Sequence, residues 1–264
     1  MRTIIEFNET TADTIPCRSP WATPTLSMYQ DLILKPEFAP RRYKFPTGST
    51  WFRVVPALPN SDKDWMLGVH ALQYAKGRHV HPKTVIPGAK SVFDHAYTWL
   101  KEHQNDDLYS KTNKEGCRLL ADPLSLFWLL VEEDGKIVSR LLVESGYDGS
   151  RGGTAGLGHQ IWQLTQERDE DGNLPGNPAN PSLGAQICVE KKQSSGTRYA
   201  SYSLRMGRVP APISEMFAKM DDEEGAALTP LEQVVHLPDE EEEWKLLENV
   251  IPAETIGKIR DSLR

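Results

Sequence analysis

Cysteine is scarce in this chain of 264 residues. There are three, Cys17, Cys117 and Cys188, far apart and without a Cys-x-x-Cys pair. So small and scattered a set signals neither a disulfide framework nor a thiolate zinc site, and reduced, mostly buried thiols are expected. Long apolar runs are missing too. No window approaches the roughly 18 consecutive apolar residues of a spanning helix, and Met1-Arg2-Thr3-Ile4-Ile5-Glu6 has no signal-peptide apolar region. No membrane partner is expected, and the protein is placed in the cytoplasm. Enzyme motifs are equally absent: no Walker A sequence, no His-Glu-x-x-His and no Gly-x-Ser-x-Gly. The glycines of residues 152–158 miss the dinucleotide fingerprint, whose spacing is what brings a helix amino terminus onto a phosphate, and they read as a flexible loop. No enzyme is expected.

What is present is turn chemistry and an uneven charge. With 19 Gly and 19 Pro, 39% hydrophobic and 25% charged residues, the chain reads as a soluble protein of strands, turns and some helices. The net charge of −7 conceals two parts. Residues 215–264 hold 14 acidic and 5 basic residues, a balance of −9, which leaves 25 basic against 23 acidic, or +2, for residues 1–214. Such a split suits a polyanion-binding body with an acidic end that competes for the same surface or recruits a partner. On charge alone, a solvated acidic helix is the plainer reading.

Residues 1–40, rich in Thr and Pro, read as an N-terminal arm with a short helix near 26–34. Strand signals follow at 42–45, 50–56, 66–74 and 78–81, at hairpin spacing. Between 91 and 102, Val92, Phe93, Ala96, Trp99 and Leu100 recur at helical spacing. Residues 126–131 and 137–143 form an apolar hairpin, turned by Asp134-Gly135, a pair that readily supplies positive φ angles. A helix is expected at 160–166, another hairpin at 183–192 and 198–206, and helices near 212–220, 228–235, 240–250 and 253–263. This organisation gives an arm (1–40), a core (41–214) with an inserted hairpin-helix subdomain at about 70–104, and an acidic helical region (215–264).

Cations and rings interleave on several of these strands, and single-stranded nucleic acid needs both, cations to track phosphates and rings to stack bases. One cluster holds Arg53 beside Trp51, with Tyr74, Lys76 and Arg78 further on. A second is the polar loop 105–116 and the hairpin after it, with Tyr109, Lys111, Lys114, Arg118 and Trp128. The third is the most persuasive: Lys191, Lys192, Arg198, Tyr202, Arg205 and Arg208. There, period-2 geometry puts Tyr202 and Leu204 on one face and Ser201, Ser203 and Arg205 on the other. For any single ring, a place in the core is an equal alternative, so the expectation rests on the ensemble. His70, His79, His81, His95 and His103 gather in sequence, but without thiolates they read as ordinary hairpin and surface histidines.

Taken in order, these segments resemble the T-even phage helix-destabilising proteins. The resemblance lies in Tyr43-Lys44-Phe45 with Gly48 and Arg53-Val54-Val55-Pro56, in Val69-His70, and most strongly in Asn105-Asp106-Asp107-Leu108-Tyr109, Asn113-Lys114-Glu115 and Phe127-Trp128-Leu129-Leu130-Val131. Ile161-Trp162 and the hairpin from Lys191 to Gly196 also fit, and the likeness spans roughly residues 41–250. It implies an α+β, mainly β protein built on an OB-fold, a five-stranded antiparallel Greek-key barrel. It also implies a sequence-tolerant single-stranded DNA-binding protein of phage or prophage type, acting in replication or recombination inside a bacterial host. The family's zinc subdomain uses one His and three Cys. Here the matching positions are His70, Val92 and His95, with His81 near, so zinc is expected to be lost and no cofactor is expected. Where the family has a basic triplet before its aromatic strand, this chain has Leu120-Ala121-Asp122. That loss motivates the alternative, a protein-interaction adaptor on the same scaffold with vestigial nucleic-acid affinity, whose acidic end binds replication or recombination proteins.

Overall fold

The computed structural model describes residues 30–58, 65–74, 77–105, 118–150, 153–166, 177–193 and 200–263. Eight strands join in one sheet: β1 (Gln30–Asp31), β2 (Gly48–Val54), β3 (Leu67–Tyr74), β4 (Gly77–Val80), β5 (Arg118–Glu133), β6 (Lys136–Ser145), β7 (Ala185–Gln193) and β8 (Ala200–Pro210). Their order is β1-β4-β3-β5-β2-β7-β8, with β6 paired to β5. All ladders are antiparallel except that of the two-residue β1, which runs parallel to β4. Seven α-helices accompany them among the described residues: α1 (Val92–Glu102), α2 (Leu157–Gln166), α3 (Ile213–Phe217), α4 (Asp222–Ala226), α5 (Leu231–Val234), α6 (Glu240–Glu248) and α7 (Ala253–Asp261). No helix among the described residues is long and apolar enough to cross a membrane. The α+β, mainly β architecture stands.

The organising strand is β5. Its start pairs with β3 (Leu126 opposite Leu67), its end with β2 (Leu129 opposite Val54), and its other edge with β6 from Leu124↔Ser145 to Glu133↔Lys136. Asp134 (φ 51°) and Gly135 (φ 78°) make the tight turn between β5 and β6, as their sequence predicts. Successive side chains of β5 enter different cores. Leu124, Leu126, Trp128 and Leu130 face a core shared with Ile33, Leu34, Val69, Leu141, Met216, Leu231 and Val234. Phe127, Leu129 and Val131 face a second core with Phe52, Val54, Leu142, Leu157, Ile161, Ile187 and Val189. A strand covered on both faces reads as a continuous apolar run, which Leu-Phe-Trp-Leu-Leu-Val is.

The closed five-stranded barrel is not formed. Among the described residues no ladder joins β8 back to β6, and the sheet stays open. Helix α2 contacts β5, β6 and β8. Its Leu157 and Ile161 share a core with Leu142, against which Tyr202 and Leu204 pack, so the helix fills the place of a closing ladder. Residues 42–45 make no strand either. Arg42 forms an isolated bridge to Leu141, and the Tyr43 amide donates to the Leu141 carbonyl at 2.8 Å, which covers part of the β6 edge.

Packing contacts cross the expected boundaries. Most of the N-terminal arm, residues 1–29, lies outside the described residues. Ile33 and Leu34 are core residues, and in place of the end of a helix the chain forms β1 and a bridge from Leu34 to Val235. The Lys35 amide donates to Val234 O and the His236 amide to Ile33 O, both at 2.9 Å. The inserted segment carries a real hairpin, β3–β4, and a real helix. Ser91 caps α1 by accepting from the Phe93 amide at 3.2 Å. Val92, Phe93, Ala96 and Leu100 of that helix form a third core with Leu246, Leu247, Val250, Ile251, Ile256 and Ile259.

The acidic region is likewise part of the body. Glu224 of α4 accepts from Arg41 Nη1 (2.7 Å), Ser139 Oγ (2.8 Å) and the Ser139 amide (2.9 Å). Burial pulls its carboxyl upward, but the Ser139 and Arg41 hydrogen bonds outweigh this and hold it below the usual carboxylate range. Glu243 of α6 is 3% exposed and accepts from the Val92 amide at 2.7 Å and Ser91 Oγ at 3.2 Å, at the amino terminus of α1. There burial wins, and its carboxyl is raised.

Candidate nucleic-acid interface

The exposed face of β2, β7 and β8 carries the clearest binding chemistry. Phe52 and Val54 of β2 and Ile187 and Val189 of β7 point into the second core, so the alternate residues point outward. Register then fixes the rows. Trp51 lies beside Cys188, which lies beside Arg205; Ser49 lies beside Glu190, which lies beside Ser203. Lys192 and Ser201 extend the β7–β8 face by one further row. Cys188 is fully buried beneath its neighbours, whereas Trp51 is 41% exposed.

The Arg205 guanidinium sits 5.2 Å from the centroid of the Trp51 ring, a cation–π pair. The indole reaches across to Gly207, where an added Cβ would already be 3.7 Å from the ring. Lys192 and Arg208 are exposed on the same hairpin. Set among these cations is one carboxylate, Glu190, which meets Lys192 Nζ at 3.3 Å and accepts from Ser203 Oγ at 3.2 Å. Lys192 first, then Ser203, holds its carboxyl below the usual range, so it is ionised at neutral pH. An exposed indole with an adjacent guanidinium offers flat surface for base stacking, and further exposed cations on the same hairpin suit a phosphate chain.

The third cluster from the sequence therefore divides. Lys192, Arg205 and Arg208 lie on the exposed hairpin, while Lys191 and Tyr202, cross-strand neighbours, belong to the inner side. Lys191 Nζ donates to the Phe45 carbonyl at 2.9 Å. Tyr202 packs against the second core, and its phenol is raised by burial and by the charge of Glu144. Burial raises the Glu144 carboxyl, and Arg42, Arg78 and Lys191 lie close enough to oppose the rise.

Two expected contacts are corrected outright. Arg53 shares the outward direction of Trp51, but residues 177–184 and Ala211 cover that end of the sheet, and Arg53 is 0% exposed. Its Nε donates to Ala211 O at 3.0 Å, Nη1 to Val54 O at 2.9 Å, and the guanidinium also donates to the carbonyls of Pro178 and Asn180. Burial lowers its pKa to about 10, which leaves it charged at neutral pH and held by main-chain oxygens. Trp128 is 2% exposed, and its indole N–H donates to Thr229 O at 2.7 Å. It anchors the chain before α5 and presents no ring to a base. Lys76, Tyr109, Lys111, Lys114 and Arg198 lie outside the described residues, as do the side chains of Tyr74 and Arg118.

Of the histidines at the zinc-related positions, His81 Nε2 pairs with Asp94 Oδ1 at 3.1 Å, beside Lys83, and His95 Nε2 meets Ser262 Oγ at 2.9 Å. Among the described residues, no three His, Cys, Asp or Glu side chains are grouped to hold a metal ion.

Glu190 is missing from the expected contacts, whereas Trp51 stands among the rings that the sequence offers for stacking. The alternation of β7 signals that Glu190 faces outward; which strands are neighbours is not written in that pattern. Neither a protein-family model nor a curated protein matches the chain.

Proposed function

We propose that the protein binds single-stranded DNA with little sequence preference, through the outer face of β2, β7 and β8, and breaks no bond. The observation that carries this reading is the exposed Trp51 ring paired with the Arg205 guanidinium, on a hairpin that also exposes Lys192 and Arg208. A stacked base contributes about 1–3 kcal/mol in such sites, and cations add a salt-dependent term. The ordered segments that resemble the T-even phage helix-destabilising proteins support a role in coating and protecting strands during replication or recombination. The alternative, an interaction adaptor with vestigial nucleic-acid affinity, rests on Leu120-Ala121-Asp122 in place of a basic triplet. The test is a titration of labelled oligo-dT, oligo-U and duplex DNA at two salt concentrations. Binding to oligo-dT that weakens with salt and exceeds binding to duplex supports the reading; no affinity for oligo-dT below about 10 μM at low salt refutes it, since sequence-independent affinities reach roughly 10⁻⁴–10⁻⁶ M even at physiological salt.

A further inference from the structure

We infer that Glu190 gives this face a preference for guanine-bearing single strands, an inference that rests on the single-strand reading above. Glu190 is the one carboxylate in the rows that hold Trp51, Arg205 and Lys192 among the described residues. It lies two residues along β7 from Cys188, the position between Trp51 and Arg205. Two residues of strand advance about 6.6 Å, so a base stacked at Trp51 or Arg205 places its edge over the Glu190 row.

A carboxylate is an acceptor with two oxygens. Guanine alone among the four bases presents two adjacent donors, N1–H and the N2 amino group, on its Watson–Crick edge, where single-stranded bases are commonly read. Adenine and cytosine set a ring-nitrogen acceptor beside their amino group, and thymine sets carbonyls on both sides of its N3–H. The two Glu190 oxygens already point to different donors, Oε1 to Lys192 Nζ at 3.3 Å and Oε2 to Ser203 Oγ at 3.2 Å. Both are exposed groups that a base can replace. When guanine takes the carboxylate, Lys192 is released to a phosphate, so charge stays matched through the exchange.

The test uses the full-length protein with labelled single strands of about twelve nucleotides, within the span an unspecific site covers. One is oligo-dT and the other carries guanines spaced among thymines, in a lithium buffer that suppresses guanine tetrads. Fluorescence anisotropy should give affinity about tenfold tighter for the guanine-bearing strand, the discrimination typical of a two-bond base contact. Glu190→Gln should tighten oligo-dT binding modestly, by removing a negative charge from a cationic face, and bring the ratio of the two affinities close to one. Equal affinities in the unmodified protein overturn the inference while leaving single-strand binding intact. A ratio that survives Glu190→Gln, with both affinities raised alike, also overturns it, because the carboxylate then acts by repulsion alone. No binding to either strand removes the underlying reading with it.

Discussion

Replacing Trp51 by alanine separates the proposed binding face from the core in one measurement. The ring is 41% exposed and meets Arg205 and Gly207 on the outer face of the sheet. Removing a fully buried tryptophan costs about 3–5 kcal/mol, so a ring this exposed should cost roughly 1–2 kcal/mol of stability. For a chain of this size that lowers Tm by about 2–8 °C, and the variant is folded at room temperature. Affinity should fall further in proportion. One lost stacked base is worth about 1–3 kcal/mol, roughly 5- to 150-fold in Kd for oligo-dT by anisotropy at low salt. The quenching of intrinsic fluorescence on binding should shrink with it. Trp128→Phe is the mirror image: it leaves the partly buried Thr229 carbonyl without its donor and should cost about 1–3 kcal/mol of stability without moving the affinity. The reasoning is refuted if Trp51→Ala binds within twofold of the unmodified protein, or if Trp128→Phe loses binding at unchanged Tm.

Arg205→Gln should flatten the dependence of log affinity on log salt by about 0.7, the single-strand value for one phosphate contact, so its deficit narrows about 2.5-fold between roughly 50 and 200 mM salt; an unchanged slope removes Arg205 from the phosphate path. Two carboxylates, the half-buried Glu224 and the buried Glu243, should show opposite pH behaviour in thermal melts. Glu224, held low, stabilises the fold above its unfolded pKa of about 4.5, and its advantage over Glu224→Gln should fade as pH falls through the lower folded value. Glu243, held high, contributes fully below 4.5 and loses its contribution as pH rises through the folded value, so the protein should gain on Glu243→Gln upon acidification from neutral pH. Deleting residues 215–264 should abolish the cooperative unfolding transition in circular dichroism, and Leu247→Ala, at 0% exposure, should cost about 2–5 kcal/mol; a truncated chain that melts cooperatively and binds more tightly would restore the competing-tail view.

Local chemistry was legible, and long-range cover was not. Asp134-Gly135 announced its turn, Ser91 its helix, and the alternation of residues 183–206 its hairpin, because each is decided by neighbours in the chain. Arg53 looked like a phosphate ligand because its cover comes from Pro178, Asn180 and Ala211, more than a hundred residues away. Trp128 looked like a stacking ring, although a run with no polar interruption already pointed to a strand buried on both faces. In the acidic region, charge drew attention from the apolar residues between the acids, Leu246, Leu247, Ile256 and Ile259, which cover α1. At the proposed face, sequence identified the cations of the hairpin. The indole and the carboxylate beside them became neighbours only through strand order.

The bridge between Leu34 and Val235 sets a schedule for synthesis. A nascent chain emerges from its amino end, and its parts fold as they become available. Here Ile33 and Leu34 must wait for partners some two hundred residues later, and helix α1 waits for α6 and α7. Until the last quarter of the chain leaves the ribosome, two of the three cores lack a wall and present apolar surface. A prematurely terminated product would therefore be a target for chaperones and proteases rather than a shortened, working protein.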